Sequence, residues 1–235
     1  MCWAYYPKPG ESDKPEPLRK HLIDVAETVR DHFDFDRITK KVSKAYNIEH
    51  NLARDIVFLI GLFHDLGKAR IEYQREPERG FKGHEFYSAF IIHNVFIRRK
   101  SYDDYIKKIE NLIIYPIMLH HYAQHNSDDA YKYVLKEMSK ISGILILRIE
   151  EQCYNDIIEV LNYGKLNVES EIIREVIDEL LKDIDDKAFI LSPLGDDPFM
   201  PLRSLIAQNN WFGIAALTGI LNEADGKVAR RNRKG

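Results

Sequence analysis

Cysteine is almost missing: Cys2 and Cys153 are all that 235 residues contain. They lie far apart and neither belongs to a CxxC pair, which argues against a disulfide framework and against a thiolate zinc site. Any metal is therefore expected on nitrogen and oxygen ligands. Long hydrophobic runs are missing too. The longest, "IVFLIGLF" and "GILIL", fall far short of the roughly 18 apolar residues a bilayer-spanning helix needs. No basic stretch followed by an apolar one opens the chain, so no secretory signal is expected and a cytoplasmic location follows. An excess of positive charge is lacking as well, since 34 Lys+Arg face 37 Asp+Glu for a net charge of -3. That excludes a surface coated for nucleic acid, and any such contact must be local or helped by a partner. There is no G-x-x-x-x-G-K-[ST], hence no P-loop and no ATP-driven unwinding. Internal repeats, low-complexity stretches and β-alternating regions are not evident.

What the chain does have is helical patterning and histidine. With 45% hydrophobic residues there is ample material for a core, and the expectation is an all-α single domain, a helical bundle with long loops. Residues 1–17, with Pro7, Pro9, Pro15 and Pro17, read as an irregular lead-in. The domain is expected over 18–231, with a basic tail at 232–235. In "LRKHLIDVAETVRDHF" the apolar residues Leu18, Leu22, Val25, Ala26, Val29 and Phe33 fall at helical spacing, and His21 points to their side. "NLARDIVFLIGLFHD" reads as a second helix, capped by Asn51 and ending near a left-handed Gly67, with His64 and Asp65 in its last turn. Residues 69–82 read as a loop, and "GHEFYSAFIIHNVFIRR" as a helix with His84 in its first turn. A helix over about 104–122 ends in "MLHHYAQHN", and "EMSKISGILILRIEEQC" reads as another buried helix. "DKAFILSPLGDDPFMPLRS" reads as a long loop. The last helix carries Ile214, Leu217, Leu221, Ala224 and Val228 in three-four alternation, with Asp225 flanking that stripe.

Five histidines and two aspartates thus sit at helix ends or beside apolar faces: His21, His64, Asp65, His84, His120, His121 and Asp225. Singly, each has a bland reading. A histidine on an inner face is more often a hydrogen-bonded core residue than a ligand, and Asp225 could simply pair with Lys227 or Arg231. Together they suggest a metal centre. Imidazole serves one metal at a time, whereas a carboxylate can bridge two, so the aspartate of "HD" is the natural bridge. Two divalent ions about 3.5–4 Å apart activate a bridging hydroxide and stabilise an attacked phosphate. So many imidazoles favour Mn, Fe, Co, Ni or Zn over Mg, although Mg remains possible at a weak site. Lys68, three residues after Asp65, is placed either to meet a substrate phosphate or to meet the helix C-terminus.

The ordered set His21, "HDLGK" at 64–68, "GHEFYSA" with His84, "HH" at 120–121 and "LNEAD" with Asp225 resembles the HD superfamily of metal-dependent phosphohydrolases. Within it, "HDLGKARIEYQ" and "GHEFYSA" resemble the HD nuclease of type I CRISPR interference, which occurs fused to a helicase or as a separate subunit. The resemblance implies an all-α fold and metal-dependent cleavage of single-stranded DNA, in some members RNA. It implies one ion on His21, His64, Asp65 and Asp225, and another on Asp65, His84, His120 and His121. It also implies Asp65 and Lys68 as catalytic residues, and a separate helicase and an RNA-guided surveillance complex as partners. Ser88 stands where the family often has a serine near the site. His125 is placed as an outer neighbour, His93 too far along its helix to reach the same ion as His84, and His32 and His50 on the surface.

Substrate contacts are expected to be electrostatic and stacking. Arg70, Arg75, Arg79 and Lys82 interleave with Tyr73 and Phe81, but Glu72, Glu76 and Glu78 nearly cancel that charge. The last nine residues hold five basic ones, which either draw a phosphate backbone toward the metals or form a tail without a role. Two other functions compete with the nuclease. One is an HD phosphohydrolase acting on nucleotides or cyclic dinucleotides, although the G-Y-P signature of the latter class is missing. The other is a helical scaffold that keeps a metal for stability.

Overall fold

The computed structural model describes residues 1–99, 103–121, 127–138, 145–184, 187–192 and 211–234. Helices dominate them, in keeping with the all-α expectation: α1 (Leu18–Arg30), α2 (Phe35–Tyr46), α3 (His50–Phe63), α4 (Ile71–Arg75), α5 (His84–Ile97), α6 (Asp104–Leu119), α7 (Ser127–Met138), α8 (Glu151–Asn167), α9 (Glu171–Ile184) and α10 (Phe212–Lys234). Two antiparallel two-stranded sheets accompany them, β1 (Trp3–Tyr5) with β2 (Glu16–Pro17), and β3 (Leu145–Arg148) with β4 (Ala188–Leu191).

α3 is the hub. From Leu52 to Phe63 nearly every residue is buried, because α1, α2, α6, α8, α9 and α10 all pack against it. Such a helix has no solvent face to carry charge, which explains the unbroken apolar run. α1 crosses it closely: a Cβ on Gly61 would stand 2.9 Å from the Ala26 Cα, so only glycine permits the approach. That crossing brings the His21 end of α1 over the His64 end of α3. The stripe of α10 is buried along its length at Ile214, Leu217, Leu221, Ala224 and Val228, and the helix lies across α1, α3 and α6.

Several local expectations are corrected. α3 starts at His50, and Asn51 donates to Glu169 instead of capping the helix. It ends at Phe63, so His64 and Asp65 follow it, and a 3-10 turn over Leu66–Ala69 contains Gly67. Gly67 therefore has no left-handed backbone; its reason is space, since a Cβ there would lie 2.3 Å from the His84 carbonyl oxygen. Phe33 lies beyond α1 and is exposed. The lead-in forms β1 and β2, and the loop at 69–82 holds α4 and a second 3-10 turn, Pro77–Arg79. "LILR" is a strand, not part of a helix, and pairs with "AFIL", a segment expected in a loop. Most of that loop and His125 lie outside the described residues.

The two cysteines, expected to stay apart, form a disulfide between β1's edge and α8, both sulfurs fully buried. Folding brings together what 151 residues separate. The C-terminal basic residues to Lys234 continue α10, with Arg231 paired to Asp24 at 2.9 Å and Arg233 to Glu16 at 2.8 Å.

Candidate metal centre

Helix ends deliver most of the site. His64 is the residue that closes α3, still in helical conformation, and Asp65 follows in the bridge region of backbone space (φ −111°, ψ 11°). His84 begins α5 after a left-handed Gly83, and His120 closes α6. Adjacent residues inside a helix point about 100° apart; past the end of α6 the rings of His120 and His121 lie together, centroids 4.0 Å apart. His21 and Asp225 come from the interior of α1 and α10.

The other six side chains gather around Asp65. Its Oδ2 lies 3.2 Å from His21 Nε2 and 3.4 Å from His64 Nε2, and Asp225 Oδ1 is 3.3 Å from the same His21 nitrogen. Its Oδ1 lies 2.7 Å from His84 Nε2 and 3.6 Å from His120 Nε2. The ligand-type atoms fall into two groups, Asp65 with His84, His120 and His121, and His21 with His64 and Asp225. The carboxylate of Asp65 thus turns one oxygen to each.

The residues fit a metal on chemical grounds. The Nδ1 atoms of His64, His84 and His120 rest on the backbone carbonyls of Gly61, Phe81 and Ile117, and His21 Nδ1 on Glu16 Oε1 at 2.9 Å. Each Nε2 is thereby left facing inward as a lone-pair donor, the outer arrangement typical of metal-ligating histidines. Asp65 Oδ1, His84 Nε2 and His120 Nε2 are buried and close together, yet their contacts lack hydrogen-bond geometry. Buried polar atoms without partners are costly unless a ligand satisfies them.

Electrostatics agree. Burial alone would raise the Asp65 carboxyl, but His64, Lys68 and His84 hold it well below the usual carboxylate range. Burial likewise opposes charge on Asp225, yet His21 and His64 hold it down. His21 is disfavoured by burial but raised well above the ordinary imidazole value by Asp225, Asp65 and Glu16. His120 is raised, against burial, by Asp65. Burial lowers His64, and burial with the neighbouring His120 and His84 lowers His121. The surroundings thus favour the ionised, metal-binding form of both carboxylates, and metal binding would compete with protonation of His21 and His120.

Lys68 is buried, with Nζ 2.6 Å from Asp65 Oδ2 and 5.4 Å above the Phe81 ring. Ser88 approaches no ligand atom. Its Oγ accepts from Gly67 N at 2.9 Å and donates to the His84 carbonyl at 3.0 Å, joining the turn after Asp65 to α5. His93 pairs with Glu110. His32 and His50 are half-buried rather than exposed; His32 meets Glu223 at 3.1 Å and His50 meets Thr39 at 3.2 Å.

Sequence reasoning passed over three residues around the centre. Glu16, fully buried, sits in a proline-flanked stretch without periodicity. Glu85 is buried beside His84, its Oε2 3.4 Å from Nδ1. Gln74 bonds the Trp3 backbone on both sides and the Lys68 carbonyl, tying β1 to the turn after Asp65.

The centre opens into a cleft of about 650 Å³, with Lys68, His84, His121 and Asp225 in its lining and Tyr5, Lys8, Arg79, Phe81, Lys82 and Arg233 around them. Arg79 is paired with Glu76 at 2.6 Å and Arg70 with Glu72 at 2.6 Å, so much of the basic loop is neutralised internally. Lys8 and Lys82 have no ion pair among the described residues; Lys82 lies 5.1 Å over the Tyr133 ring.

No curated protein matches the chain in sequence. Residues 37–149, just under half its length, match the family described as HD domain, a span that takes in His64, Asp65, His84, His120 and His121 and leaves His21 and Asp225 to α1 and α10. With the ligand-type side chains gathered on Asp65 in an all-α fold, that match supports an HD domain of the kind found in metal-dependent phosphohydrolases.

Proposed function

We propose that this protein is a metal-dependent phosphohydrolase, a nuclease that hydrolyses phosphodiester bonds of single-stranded DNA, and RNA as a second substrate, in which Asp65 and the six side chains around it would hold two divalent ions. The observation that carries the reading is the paired ligand set at the edge of an open cleft with lysines and aromatics on its walls. Divalent ions held there would supply an activated hydroxide and neutralise charge on the attacked phosphate. Asp65 orients both halves of the site through its two oxygens. Lys68 balances the Asp65 charge and stands at the cleft as a point charge for a phosphate oxygen. Phe81 and Tyr5 offer faces on which unpaired bases stack, and a groove only locally basic suits a substrate delivered by a partner.

The order of His21, "HDLGK", "GHEFYSA", "HH" and "LNEAD" supports a role in CRISPR interference, with a separate helicase and a guide-RNA complex supplying single strands. The histidine count supports Mn, Co, Ni or Fe over Mg.

The test is cleavage of end-labelled single-stranded and duplex DNA by the full chain, with EDTA, Mg, Mn, Co or Ni, beside Asp65→Ala. Metal-dependent shortening of the single strand, lost in Asp65→Ala, is the expected result. Phosphate release from mononucleotides, or opening of cyclic dinucleotides, with long strands left whole would replace the nuclease by the small-nucleotide reading.

A further inference from the structure

Glu16 stands apart from every other acid around the centre. It is fully buried, and a buried carboxylate is costly unless its oxygens are satisfied. Three groups satisfy it. Oε1 meets His21 Nδ1 at 2.9 Å and accepts from Asn232 Nδ2 at 2.9 Å, and Oε2 accepts from Arg233 Nε at 2.8 Å. Asn232 and Arg233 belong to α10, about two turns beyond Asp225. One strand residue therefore grips the ring of a ligand on α1 and the helix that supplies a second ligand.

The histidines differ in what stands behind them. His64, His84 and His120 lean on neutral carbonyls, with the Glu85 carboxylate a more distant 3.4 Å from His84 Nδ1, whereas His21 leans directly on a carboxylate at 2.9 Å. A carbonyl orients an imidazole; a carboxylate also makes its free nitrogen a stronger donor. We infer that Glu16 is a positioning residue that makes the His21, His64 and Asp225 side of the centre the tighter metal site, and that Asn232 and Arg233 serve this clamp rather than the substrate. The other side, His84, His120 and His121 with Asp65, holds its ion less firmly and exchanges it first.

This inference rests on the two-ion reading of Asp65, and the experiment separates the two. The full chain, stripped of metal, is titrated with Mn by calorimetry and with Co by visible absorption, as wild type, Glu16→Gln, Glu16→Asp and His84→Ala. His84→Ala marks which binding step belongs to the far side. Glu16→Gln, nearly the same shape without the charge, is expected to weaken the His21-side step about 10–100-fold and leave the other within about threefold. Its Co absorption band for that ion shifts, and Glu16→Asp recovers part of the affinity. Thermal unfolding in EDTA checks that each variant is folded. Glu16→Gln equal to wild type at both steps, or weakened alike at both, overturns the inference. A wild type that binds one ion refutes the two-ion reading, and the effect of Glu16→Gln on that ion still decides whether Glu16 acts on it.

Discussion

Side chains that carry charge on a periodic helix face were the easiest to read. His21 and Asp225 can be placed against their apolar stripes, though each alone has a bland reading, and "HD" and "HH" stand out because they end apolar runs. Glu16 does not, because "KPEP" has no period from which to infer a face, and its partners lie at the far end of the chain. Asp55 shows the same limit. It is buried inside α3's apolar sequence and accepts from the backbone of Glu169 at 2.9 Å and Ser170 at 2.6 Å, just ahead of α9. Burial pushes its carboxyl up, although those two N–H groups pull it down. The folded chain thus holds this proton more tightly than the unfolded one. The group's contribution to stability is full below the ordinary carboxylate pKa and is lost as pH rises through the folded value. Asp55→Asn keeps an acceptor and cannot ionise. In EDTA, its stability relative to wild type should therefore climb as pH rises from the ordinary carboxylate pKa through the raised folded value. Denaturant curves at several pH values check this, and a flat difference would show that Asp55 ionises in the fold without cost.

Helices α1, α3, α5, α6 and α10 were legible in the sequence, whereas α2, α8 and α9, of comparable length, were not assigned there. β3 was not legible either, because a short apolar run reads equally as buried helix or strand. Its identity depends on β4, some 40 residues later, which no local pattern reveals. The 3-10 turn after Asp65 was also hidden. Its conformation is set by contact with α5, where Ser88 holds Gly67 and the missing Cβ admits the His84 carbonyl. Gly67→Ala forces backbone against backbone, so the turn must move away from α5 and take Asp65 with it. A stability loss of about 1–3 kcal/mol is expected, together with weaker metal binding. Chemical denaturation and metal titration measure the two; a variant as stable and as tightly metallated as wild type would mean that the turn has room.

Taken whole, the molecule closes on itself through its N-terminus. β1 is linked to α8 by the disulfide, to the turn after Asp65 by Gln74, and through β2 to His21 and α10 by Glu16. The sequence spacing of the two cysteines argued against this bond, and wrongly, since a disulfide depends on distance in the fold. Such bonds are uncommon in a reducing cytosol outside hyperthermophiles, so the expected cytoplasmic location gains no support here. Among the described residues no helix is long and apolar enough to cross a membrane. Reduction, or Cys2→Ser, should lower stability by about 2–5 kcal/mol, read as a lower denaturant midpoint; an unchanged midpoint would mean that the bond adds nothing to the packing of β1.

The most direct measurement is metal content. Wild type and Asp65→Ala are loaded with Mn, dialysed and analysed for bound ion, with circular dichroism to check folding. Two ions per wild-type chain, and loss of at least one of them in a folded Asp65→Ala, is the expected outcome, because Asp65 turns one oxygen to each side of the centre. A folded Asp65→Ala that retains the wild-type metal content would mean that Asp65 does not join the two sides.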